Sequence, residues 1–115
     1  MTMNQNNLQE ATFQLAEALK DLYKEKLKAV ILYGSVARGT ALEDSDVDIL
    51  VLVDTTQEEL QNYSDALSDI STDFALEYLK VFSIIDISFQ EFSEWKDISP
   101  FYRNVTRDGV MLYAA

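Results

Sequence analysis

Apolar residues recur at Leu8, Leu15, Leu19 and Leu22, with Phe13, Tyr23 and Leu27 near the same stripe and Glu and Lys between them. Steps of three and four gather such residues on one helical face, so the spacing predicts a helix over residues 7–28. The pattern then changes. Residues 29–33 form an unbroken apolar run closed by Gly34, which predicts a short buried strand. Residues 35–40 predict one short helix opening on a serine, and Gly39 is placed to close it in the left-handed conformation.

Residues 46–53 alternate only weakly and are rich in β-branched side chains, which suits a strand covered on both faces. Thr56 and Glu59 have capping-box spacing. They open a predicted helix whose apolar positions Leu60, Tyr63, Leu67, Ile70 and Phe74 step by three and four, and which should run to about Lys80. Residues 81–89 predict a third strand and residues 90–97 a short helix. Ser99 and Pro100 are a serine cap followed by proline at the first helical position. Gly109 should stop that helix, and residues 110–113 read as an apolar tail suited to a sheet edge. Helices alternating with strands around one sheet make an α/β fold.

The chain has 115 residues, enough for one core, and its 48% hydrophobic content should fold it. There is no internal repeat and no low-complexity tract. No Cys is present, which excludes disulfides and thiolate metal sites and suits a reducing cytoplasm. No His is present either, which removes the commonest general base and zinc ligand. Any metal must therefore be held by oxygen, which points to magnesium or manganese. A net charge of −11 disfavours direct contact with nucleic acid or anionic lipid and suits a basic protein partner, although acidity also serves solubility. No apolar stretch is long enough to span a membrane, and residues 1–7 do not resemble a signal peptide.

The chemistry concentrates between Gly34 and Asp48. On a strand, Asp46 and Asp48 point to the same side, and like charges so close are unfavourable unless a divalent cation bridges them. Gly34 lets the backbone approach a phosphate closely, and a helix starting at Ser35 would aim free N–H groups at it. Arg38, one turn further on, is in range of a phosphate oxygen or of Glu43 or Asp44. Ser45 either closes the loop or touches phosphate, the former being favoured. Asp86 interrupts a mainly apolar strand, so its carboxylate should face a metal, a cation or solvent. Beside Asp46 and Asp48 it would complete a metal site or accept a proton. Trp95, Phe101 and Tyr102 either cover the sheet or present a partner surface.

The pattern Gly34-Ser35, then ten residues including Ala37-Arg38-Gly39, then Asp46-Val47-Asp48, with a later strand aspartate, resembles the minimal nucleotidyltransferases of the DNA polymerase β-like superfamily. The motif-bearing core spans residues 29–89, and residues 104–113 resemble the family's tail. The resemblance implies a single-domain polymerase-β-like fold over residues 1–115, a mixed sheet flanked by helices. It implies that Gly34 and Ser35 hold ATP, and that Asp46, Asp48 and Asp86 are a catalytic triad holding two Mg2+ ions. The implied reaction moves AMP to a hydroxyl. Members of this kind pair as antitoxins with HEPN toxins, in some cases modifying a toxin tyrosine. Only residues 90–115 follow the third strand, too few for an acceptor-binding domain, so the expected acceptor is either small or a partner protein that supplies its own docking surface. A binding-only antitoxin and an aminoglycoside-type small-molecule enzyme are the alternatives.

Overall fold

A computed structural model describes residues 5–42 and 45–115. Its elements are α1 (Gln5–Tyr23), β1 (Leu27–Tyr33), α2 (Gly34–Arg38), β2 (Val47–Val53), α3 (Gln57–Leu60), α4 (Ser64–Tyr78), β3 (Phe82–Ser88), α5 (Phe89–Trp95), α6 (Pro100–Asp108) and β4 (Val110–Ala114). The strands form one sheet in the order β3-β2-β1-β4. β1 runs antiparallel to both β2 and β4, while β2 and β3 are parallel. The expected mixed α/β sheet flanked by helices is therefore present.

Alternation along β2 builds two cores. Val47, Ile49, Val51 and Val53 join Leu15, Leu19 and Tyr23 of α1 and Leu67 of α4 on one face. Leu50 and Leu52 join Ala29, Ile31 and Ile87 on the other, beneath Phe92 of α5 and Val105 of α6. Both faces are covered, which is why β2 reads as a nearly continuous apolar run. Each wholly buried Leu, Ile or Val contributes about 1.5–3 kcal/mol of transfer free energy.

Two predicted helices are too long. The first ends at Tyr23 because Lys24 turns to φ 55, and a 3-10 turn over Lys24–Lys26 leads into β1. Leu27, which continues the helical stripe in sequence, is instead the first residue of β1. The helix opened by Thr56 breaks into α3 and α4 at a 3-10 turn, Gln61–Tyr63. Its cap is half of the expected box. Thr56 Oγ1 accepts from the Glu59 amide at 3.1 Å, while the Glu59 carboxylate accepts from the Thr55 hydroxyl at 2.5 Å.

The remaining signals hold. Gly39 ends α2 at φ 75, Ser99 Oγ accepts from the Tyr102 amide ahead of Pro100, and β4 lies on the sheet edge beside β1. The fold thus brings three element ends together at one end of the sheet: the close of β1, the start of β2 and the start of β3.

Candidate functional site

The site grows from the β1–α2–β2 connection. Tyr33, the last residue of β1, is the antiparallel partner of Asp48 near the start of β2. Gly34 follows at φ 77, a conformation that L side chains rarely adopt. A Cβ built on Gly34 would overlap Asp48 Oδ2 and lie 3.3 Å from its Cγ. Glycine is needed here twice: once for the turn and once to leave room for the carboxylate.

Helix α2 starts at this glycine, and no side chain caps its first turn. Its leading amides are therefore open to an outside acceptor. Ser35 is half-buried in that turn, whereas Arg38 is exposed at its end. The Arg38 charge lowers the pKa of Asp48, and adds in a small way to the lowering of Asp108, which comes first from the Arg107 hydrogen bond. Glu43 and Asp44, the other partners considered for Arg38, lie outside the described residues.

Asp46 is exposed and Asp48 is half-buried. Burial raises the Asp48 carboxyl above the ordinary aspartate range, the neighbouring Asp46 charge raises it further, and Arg38 pulls it back. The two acids do repel one another across this short distance. Ser45 acts on the loop: its Oγ accepts from the Leu42 amide at 2.8 Å. That is the structural role, and no phosphate contact is needed to explain it.

Asp86 does not join this group. In the parallel β2–β3 register Asp48 is level with Ser83, and Asp86 is level with Val51. Asp86 therefore lies three positions further along β3, about 10 Å away at ~3.3 Å per residue. It also faces the opposite way. Residues level with each other on neighbouring strands share a face, so Asp86 stands with Val51 under α1, while Asp48 stands with Leu50 under α5 and α6. The Asp86 carboxylate accepts a 2.8 Å hydrogen bond from the Tyr23 hydroxyl, and burial together with this bond raises the Tyr23 pKa. The apolar strand's carboxylate has a tyrosine partner. As a correction to the expected triad, the structure brings Asp46 and Asp48 to this end of the sheet and leaves Asp86 apart from them. Among the described residues no cluster of three metal-binding acids, histidines or cysteines exists.

Two residues near Asp48 escaped the sequence reading. Ser83 stands level with it on β3, and Tyr33 stands level with it on β1. Tyr33 immediately precedes Gly34, which was the available signal. Of the three late aromatics, Tyr102 covers the second core against Phe92 at 5.1 Å, while Trp95 (50%) and Phe101 (40%) stay open.

The glycine turn and both acids fall inside a stretch that matches a known family. The nucleotidyltransferase domain model matches residues 14–107. The chain belongs to the nucleotidyltransferase domain family. This nucleotidyltransferase is 36% identical over 107 residues, 93% of its own length and 99% of the relative's, to a Methanocaldococcus jannaschii protein named as a candidate protein adenylyltransferase, MJ0604. A second candidate protein adenylyltransferase of that organism, MJ1305, is 33% identical over 66% of this chain and 52% of the relative. Two solved structures share the fold. One, a toxin-antitoxin structure with AMP-PNP, gives a TM-score of 0.61 at 21% identity over 90% of this chain and 73% of that one. The other, a tri-AMPylated Shewanella oneidensis HEPN toxin in complex with an MNT antitoxin, gives 0.58 at 19% identity over 93% and 72%.

Proposed function

We propose that this nucleotidyltransferase moves AMP from ATP to a tyrosine hydroxyl of a HEPN-type toxin and acts as that toxin's antitoxin. The observation that carries the reading is the fit of Gly34 against Asp48, which sets a polyphosphate turn beside a carboxylate pair. The relative named for protein adenylylation over nearly the whole chain supports a protein acceptor. The toxin-antitoxin structures that share the fold, one of them holding an AMPylated HEPN toxin, support the partner. A net charge of −11 suits a basic partner surface.

The donor set fits magnesium. Asp46 and Asp48 are hard oxygen ligands, their mutual repulsion is relieved by a divalent cation, and the chain offers no His or Cys to draw a softer metal. When bound, Mg2+ supplies charge neutralisation at the attacking and leaving oxygens. Among the described residues this end of the sheet offers two acids, so phosphate oxygens and water would complete the shell. A site that depends on its nucleotide in this way holds metal firmly only with ATP present.

The residues divide the work. The first amides of α2 and the Ser35 hydroxyl donate to the β- and γ-phosphates. Arg38 offsets negative charge at the mouth of the site. Asp46 and Asp48 would hold the cation, which would neutralise charge at the reacting end of the triphosphate. The acceptor oxygen forms a bond to the α-phosphorus, the bond from the α-phosphorus to the bridging oxygen breaks, and pyrophosphate leaves. The acceptor proton is lost to solvent at the open side, where Asp46 is exposed. A reaction that consumes ATP suits the cytoplasm. No helix among the described residues is long and apolar enough to cross a membrane.

The test is to mix the protein with base-labelled ATP, magnesium and the protein encoded beside it, and to look for label on that partner. Label on a partner tyrosine supports the reading. Neutralisation of the partner without label would replace it with a binding-only antitoxin. Label on an aminoglycoside in place of protein would replace it with a small-molecule enzyme.

A further inference from the structure

A nucleotide gripped only by its phosphates would leave its base unheld, and the walls around Asp48 show where the base can go. Ser83, Asp48 and Tyr33 form a row at one level across β3, β2 and β1. Side chains directly opposite on antiparallel strands have Cβ atoms about 4.5–5.5 Å apart on one face, so the Tyr33 ring rises directly beside the Asp48 carboxylate. The Phe101 ring of α6 meets it edge to face, with centroids 5.4 Å apart and planes at 86°. Tyr102 packs against Phe101 at 5.7 Å and is itself held against Phe92. Although it contacts two other rings, Phe101 remains 40% exposed.

A flat, neutral group at this wall meets rings that already pack against one another, so little side-chain freedom is lost when it binds. An open phenylalanine packed against two rings, next to a turn that grips polyphosphate, has the form of a stacking platform.

We propose that Phe101, supported edge-on by Tyr33, is the surface on which the nucleobase of the bound nucleotide stacks. The proposal rests on the reading that Gly34, Ser35 and Asp48 hold the polyphosphate. Stacking reads area rather than hydrogen-bond pattern, so purine nucleotides bind more tightly than pyrimidine nucleotides, and ATP and GTP differ little at this surface.

The experiment compares two ligands by calorimetry in magnesium: ATP, which has a base, and tripolyphosphate, which has none. Phe101→Ala weakens ATP binding about tenfold, at the low end of what loss of one aromatic–base stack produces. It leaves tripolyphosphate binding unchanged, and Phe101→Trp restores ATP. Phe101→Leu keeps the apolar bulk without the ring and gives the same loss as alanine, which separates stacking from local unfolding. An equal loss for both ligands, or no loss for either, overturns the proposal. So does a loss of partner binding with ATP affinity intact, since the surface would then belong to the acceptor. Failure of the underlying reading has a different signature: wild-type protein binds neither ligand, or Asp48→Asn leaves tripolyphosphate binding intact. That result removes the platform along with the site.

Discussion

Gly34 and Asp48 lie in close contact: the glycine has no Cβ, and the Asp48 carboxylate comes near enough to overlap one built there. The contact joins the end of β1 to the start of β2 and fixes where a phosphate meets an acid. Gly34→Ala is therefore the most informative single change in the turn. It forces a side chain into φ 77 and against Asp48. We expect a loss of about 1–2 kcal/mol of stability from the backbone alone and a drop in transferase activity well beyond a hundredfold. Thermal melts and a turnover assay on the same preparation check both.

Asp46→Asn and Asp48→Asn should separate activity from folding. Each keeps the side-chain shape and removes one of two repelling charges. Activity falls by about a thousandfold or more in each, as expected when a group acting on developing charge is removed. The melting temperature without metal stays level or rises. A melting temperature that falls sharply in either variant would show that the acids are structural.

Asp86 gives the opposite result. It faces α1 and accepts from Tyr23, so Asp86→Asn should keep activity within a few-fold of wild type. Tyr23→Phe removes the only donor to Asp86 shown in the structure and should lower stability by about 1–3 kcal/mol, the usual cost of unpairing a half-buried acceptor, again without loss of turnover. Loss of activity in Asp86→Asn with the fold intact would place Asp86 back in the metal site.

The sequence makes the strands, caps and motif legible because each is written locally. Residues 29–33 and 47–53 are apolar runs with clear ends, Gly39 and Gly109 mark helix stops, and Ser99-Pro100 marks a start. Asp86 shows what a sequence does not write. Its place beside or across from Asp48 depends on the register of β3 against β2, and a shift of one residue reverses the face. The two overlong helices have a similar cause. Lys24 ends α1 in a conformation that lysine does not announce, and the apolar step through Leu60, Tyr63 and Leu67 continues unbroken across the turn that separates α3 from α4. The row formed by Tyr33, Asp48 and Ser83 was hidden for the same reason as Asp86, since it exists only once three strands are aligned.

Leu79 ends α4 in the left-handed conformation at φ 54 with 69% of its surface exposed. A leucine there loses backbone energy and gains little burial. Leu79→Gly should raise stability by about 0.5–1 kcal/mol, because glycine adopts this conformation freely. Denaturant unfolding reads the change as a higher midpoint at an unchanged slope. A lower midpoint would mean that the Leu79 side chain contributes packing that its exposure conceals.

Chelation provides a simple check on the cation. EDTA should abolish turnover and added Mg2+ should restore it. With two acids at the site among the described residues, Mg2+ alone should shift the melting temperature little, whereas Mg2+ with ATP should shift it clearly.

A crystal structure with a non-hydrolysable ATP analogue and Mg2+ bears most directly on the arrangement. The account predicts cation density between Asp46 and Asp48, β- and γ-phosphate oxygens on the amides that follow Gly34, and Asp86 still bonded to Tyr23. Phosphates bound away from that turn, or a cation that leaves Asp46 and Asp48 facing only solvent, would contradict it.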